Sequence, residues 1–142
     1  MQKAAFALEQ VFYPETTVKA NIEFKRNHDE PASEPVVSIT IPQQVGLEDD
    51  KPVLQVVLAV EVPAASPSDP YEIAILTVGR FKSSQQLSTQ EFVQAVVFSG
   101  PNMLYSATRE HILSITSRSA WGEYNLPAII FGPEDFRMPE SE

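Results

Sequence analysis

The chain contains no cysteine, so it has no disulfide framework, no thiolate nucleophile and no cysteine-based zinc site. It has only two histidines. His28 falls in a charged stretch and His111 on the flank of a predicted helix, neither with a carboxylate or second histidine at metal-ligand spacing, and both read as structural. There is no Gly-x-Ser-x-Gly elbow and no glycine-rich phosphate cradle. Glu48-Asp49-Asp50 lacks the alternating oxygen ligands and the glycine of a calcium loop, and reads as a solvated turn. Neither an enzyme nor a metal or cofactor is expected. No run approaches the roughly 18 consecutive apolar residues of a membrane span. The first residues, through Glu9, meet charge before a signal-peptide core accumulates, which makes the cytoplasm the expected location. Ten basic against nineteen acidic side chains leave a formal charge of −9, which repels phosphate backbones and anionic lipid heads. Nucleic acid and membrane are therefore not expected partners.

What is present suits one folded unit. The 142 residues are 43% apolar, and the twelve prolines fall mainly between apolar runs, so a single domain over 1–142 is expected. Val18, Ala20, Ile22 and Phe24 alternate with polar residues, the period-two pattern of a first strand. Val37, Ile39 and Ile41 predict a second, stopping at Pro42. Residues 53–62 carry one fully apolar and one mixed register, as a central strand does. From Tyr71 to Phe81 both registers are partly apolar, with Gly79 where a bulge or bend is tolerated. The polar, proline-rich joins 26–35, 42–52 and 63–70 suit long hairpins, so a four-stranded antiparallel meander followed by helix is predicted, an α+β fold.

Ser88-Thr89-Gln90-Glu91 is a capping box that opens a short helix carrying Phe92, Ala95 and Val96 on one face. Gly100-Pro101 is expected to end it and start a long one, since proline is favoured at a first helical position. On the long helix Leu104, Ala107, Thr108, Ile112 and Ile115 form a stripe for the sheet. Leu113 falls nearly opposite, among Ser106, Glu110, Ser114 and Ser117, on a back face left to solvent or to another subunit. Arg109-Glu110 reads as a solvated or interfacial pair of little energetic weight.

The order Gly100-Pro101-Asn102, Thr108-Arg109-Glu110, Ser117-Arg118 and Trp121-Gly122-Glu123-Tyr124-Asn125-Leu126-Pro127 resembles the long first helix and exit of the SecB family of export chaperones. Residues 6–13, the run 53–62 and Gly79-x-Phe81 follow in the family's order. The resemblance implies a four-stranded antiparallel sheet with a short and a long helix on one face, and edge strands and long helices assembling dimers and tetramers through Ser106, Glu110, Leu113 and Ser117. It implies an ATP-independent holding chaperone for non-native or newly made polypeptides, serving protein folding and protein transport, whose clients enter apolar grooves near Phe12, Tyr13, Val57, Trp121 and Ile130. The implied partners are unfolded clients and the SecA export motor, docked through Glu15 and Glu72. Lys19 and Ala74 stand where that acidic patch has carboxylates, and only six residues follow Phe136 where the family continues into a second helix and a zinc tail. These departures keep open a chaperone dedicated to one partner, such as the antitoxin of a toxin–antitoxin system. A hydrolase on the same scaffold ranks last.

Overall fold

The two strands that carry apolar residues in both registers form the centre of the sheet. In the computed structural model, which describes residues 6–26, 29–41, 45–84, 88–129 and 131, five antiparallel strands precede one helix. They are β1 (Phe6–Ala20), β2 (Val36–Thr40), β3 (Gly46–Glu48), β4 (Lys51–Val62), β5 (Tyr71–Ser83) and α1 (Thr89–Thr116). The α+β class and the antiparallel pairing agree with the sequence. The meander does not: the order is β1-β5-β4-β2, with β3 also on β4. The last strand is interior and the first lies at the edge beside it, a Greek-key arrangement in which residues 21–35 cross from one edge to the other. Strand β5 can occupy that place because Tyr71, Ile73, Ile75 and Phe81 bury one register, while Ala74, Leu76 and Val78 shield the other in part.

The first strand is also displaced from the residues with the cleanest alternation. It ends at Ala20, because Asn21 turns the chain: its side chain donates to the carbonyls of Asp69 (2.8 Å) and Ser66 (3.3 Å) and accepts from the Glu23 amide (3.1 Å). Such local side-chain bonds compete with ladder pairing. Ile22, in phase with the strand, is 89% exposed. Beside Asn21 the buried Asp69 carboxylate accepts from the amides of Ser33 (2.6 Å), Ala65 (3.1 Å) and Ser66 (3.0 Å) and from the Ser33 hydroxyl (2.5 Å). One carboxylate thereby ties the crossing segment to the β4–β5 loop. The turn expected at Glu48-Asp49-Asp50 joins β3 to β4, with Asp49 and Asp50 both at positive φ (53° and 61°), as a two-residue type I′ hairpin requires.

Ser88 caps α1, its hydroxyl accepting from the Glu91 amide (3.1 Å) and donating to the Glu91 carboxylate (2.9 Å). The expected break at Gly100-Pro101 is absent, and one 28-residue helix runs through Pro101. An interior proline costs about 3 kcal/mol. Phe92 and Val96 before it and Leu104 and Ile112 after it are all buried, each such side chain contributing about 1.5–3 kcal/mol, so continuity wins. Gly100 allows the close approach: a Cβ there would lie 3.1 Å from Phe81 Cζ.

The helix covers one face of β1, β5 and β4. Leu54, Val56, Leu58, Val60 and Val62 of β4 and the odd-numbered residues of β5 face it, and Thr77 Oγ1 meets Thr108 Oγ1 at 2.6 Å. Gly79 pairs regularly with Val11 and Val56; its task is to admit Leu104, not to form a bulge. An added Cβ would sit 2.4 Å from Leu104 Cδ2 and 3.2 Å from Leu104 Cγ. The expected outcome for Gly79→Ala is a loss of about 1–3 kcal/mol in urea unfolding, from overpacking; an unchanged midpoint would show that helix and sheet have slack at this point.

Candidate functional site

Strand pairing fixes which side chains share the face that α1 leaves uncovered, since directly opposed residues point the same way. One row runs Phe12–Val78–Val57–Thr40 across β1, β5, β4 and β2. The next runs Glu15–Leu76–Ala59–Ser38, and the one after it Thr17–Ala74–Glu61–Val36. Phe12 is 37% exposed, whereas Val78, with Phe12 and Val57 on either side, is only 7% exposed. The centre of the open face is thus apolar.

Its ends are charged. At one, Arg80 and Lys82 meet Glu48, and Lys82 also reaches Asp49 at 3.6 Å. At the other, Lys19 Nζ lies 3.8 Å from Glu72 Oε2, while Glu15 and Glu61 have no ion-pair partner among the described residues. A depression of about 400 Å³ lies there, lined by Thr17, Val36, Glu61, Glu72 and Ala74. A smaller one between Glu15 and Glu61 has Ala59, Ala74 and Leu76 in its wall. The surface can take an extended, apolar segment, with carboxylates at one end.

The residues picked from the sequence divide between this face and three other places. Phe12 and Val57 come together on it with Val78 between them, and Glu15 and Glu72 lie on it. Tyr13 points to the opposite face, where its hydroxyl donates to the Ala107 carbonyl (3.3 Å) and its ring stacks on His111 at 3.8 Å and 4°. Burial raises the Tyr13 pKa. Trp121 belongs to the loop cluster at the end of α1. Its indole donates to the Asn21 carbonyl (3.0 Å) and packs on Phe24, and its amide donates to the Tyr71 hydroxyl, which in turn donates to the Gly122 carbonyl. Ile130, His28 and residues 132–142 lie outside the described residues.

On the outward side of α1, Ser106, Glu110 and Ser117 are exposed and Leu113 is half-buried. Phe98, 84% exposed, lies on the same i, i+4 ridge as Ser106 and Glu110. Val78 and Phe98 are the two residues that sequence reasoning passed over. The mixed apolar register of β5 was the available signal for Val78. For Phe98 the signal was hidden by ending the helix at Gly100.

Among the described residues no group of three or more His, Cys, Asp or Glu side chains could hold a metal ion, and no helix is long and apolar enough to cross a membrane. No protein-family model and no curated protein matches the sequence. Among solved structures, the Mycobacterium tuberculosis Rv1957 SecB-like chaperone, in complex with a ChAD peptide from the Rv1956 HigA1 antitoxin, matches 90% of this chain and 93% of its own, with a TM-score of 0.55 at 12% identity. The fold is SecB-like. A protein of unknown function from Streptococcus agalactiae shares it over 87% of this chain and 97% of its own, with a TM-score of 0.51 at 15% identity. In this SecB-like sheet the single described helix, the fifth strand and the Greek-key strand order depart from the expected outline.

His111 joins the helix to β1, its Nε2 3.0 Å from Thr16 Oγ1. Burial lowers its pKa from 6.5. The unfolded chain therefore binds the proton more readily, so the neutral ring's contribution is complete above 6.5 and is lost as pH falls through the lowered native value. The urea midpoint of the wild type should drop in that window relative to His111→Gln; parallel pH curves for the two would contradict the burial of the ring.

Proposed function

We propose that the protein is an ATP-independent holding chaperone that binds non-native polypeptide on the open face of its sheet. The observation that carries this reading is the Phe12–Val78–Val57 row, an apolar band across three strands with no covering element among the described residues. An extended client has apolar side chains and unpaired backbone, and burying the former competes with self-aggregation at about 25 cal/mol per Å². No reacting group is needed. The likeness to a SecB-like chaperone solved with a peptide in place supports a polypeptide as the ligand.

That peptide comes from an antitoxin, which favours a second version in which this chain serves one dedicated partner in place of many clients. Co-purification of one stoichiometric protein supports the dedicated version, and a broad set of clients the general one. Docking of the SecA export motor at Glu15 and Glu72, and a cytoplasmic setting, complete the general version.

In a light-scattering assay with a reduced, unfolding client, the protein should suppress aggregation near equimolar ratio. The double variant Phe12→Ser/Val57→Ser should need about tenfold more protein, since truncating two central contacts costs at least 1–2 kcal/mol. Undiminished activity of that variant, or no suppression by the wild type in excess, would overturn the assignment.

We also assign the outward ridge of α1, from Phe98 through Ser106 and Glu110 to Leu113 and Ser117, to contacts between copies in a homodimer or homotetramer. Static light scattering should give a multiple of the 15.8 kDa chain, reduced by Leu113→Glu. A monomeric wild type would contradict this.

A further inference from the structure

The two edges of the sheet are built differently. β1, at one edge, carries the devices that keep an edge from pairing: Pro14 without an amide, the charged residues Glu9, Glu15 and Lys19, and register slips between Leu8 and Gln10 and between Phe12 and Glu15. β2, at the other edge, has none of them. Val36-Val37-Ser38-Ile39-Thr40 contains no charge, proline or glycine, is β-branched at every position but Ser38, and pairs with β4 in unbroken register. A bare edge of this composition is a template for another strand.

Among the described residues no backbone hydrogen bond joins β2 to any segment but β4. In an antiparallel strand alternate residues turn both amide and carbonyl away from the neighbour, so β2 presents a row of these groups outward. The strand is firmly held while it does so, because Ile39 and Ile41, 2% and 1% exposed, anchor it in the core. Val36, Ser38 and Thr40 are exposed, and the three rows of the open face end on them. A strand added to β2 would continue each row.

We propose that the free edge of β2 takes the backbone of an unfolded polypeptide as an added strand, beside the face that takes its side chains. The inference rests on the reading of that face as the polypeptide site. An edge of unpaired amides and carbonyls matches a chain that is already extended, which an unfolded client supplies. A second copy fits it less well. Five residues span about 17 Å, far too little to bury the roughly 1,200 Å² at which stable interfaces begin, and copies of charge −9 repel one another. Backbone pairing reads no side-chain sequence, but it refuses proline-rich segments, which lack the amides. The edge thereby selects clients by conformation and the face by apolar character.

Amide hydrogen exchange followed residue by residue tests this, with reduced, carboxymethylated lysozyme as the unfolded client and the Val57 and Val78 methyl shifts reporting occupancy of the face. With client in excess, the outward amides of 36–40 should slow about tenfold or more, while those on the outer edge of β1 stay unchanged. Ser38→Lys, which places a charge on the exposed edge and leaves Ile39 in the core, should weaken client binding about fivefold. Methyl shifts without slowing at 36–40, or equal slowing on both edges, would overturn the proposal and leave the reading of the face intact. Slowing without methyl shifts would uphold capture at the edge and remove the face as the site. Neither change would remove both. Slowing that appears without client and grows with protein concentration would put a second copy on the edge and overturn the proposal.

Discussion

A sheet has two faces, and here, among the described residues, a single helix covers one of them. Everything functional in the account follows from that asymmetry. The Thr77–Thr108 contact, the Leu104 side chain over Gly79 and the Phe81 ring under Gly100 bring α1 close enough to bury the apolar registers of β4 and β5 on its side. At their centres the opposite registers of β4 and β5 carry Val57 and Ala59, and Ala74, Leu76 and Val78, side chains that gain nothing from water. They are placed by the same backbone that builds the core, so the row cannot be withdrawn without disturbing the fold. The edge strand β1 adds Phe12 at the end of the row and receives its own support from the helix through Tyr13, Thr16 and His111.

Much of the fold was legible because its signals are local. The capping box at Ser88 reports a helix start through a four-residue pattern, and the alternation in 53–62 reports a strand with unequal faces. What failed was decided at long range. Asn21 ends β1 by bonding to the carbonyls of Ser66 and Asp69, more than forty residues away, so alternation through Ile22 and Phe24 carried no strand. Pro101 sits inside α1 because the buried residues on both sides of it outweigh its local cost. The strand order depends on which edge of β5 was available to β1, and no loop composition records that.

The candidate surface was half legible for a related reason. Apolar character marked Phe12, Tyr13, Val57 and Trp121 alike, but their grouping follows from register. Phe12 and Tyr13 are neighbours in the chain and lie on opposite faces, while Phe12 and Val57 are 45 residues apart and share a row. Trp121 bonds and packs into the loop cluster that terminates α1. The acidic residues Glu15, Glu61 and Glu72 gather at one end of the face through pairing alone. Only the register of three strands shows them as one surface.

Site-specific photocrosslinking tests the central claim most directly. A benzophenone side chain replaces Val57 in one sample and Ser117, on the outward side of α1, in another, and each is illuminated with an unfolded client at equimolar ratio. The account predicts client adducts from position 57 and none above background from position 117. Adducts from position 117 alone, or equal yields from both, would contradict it.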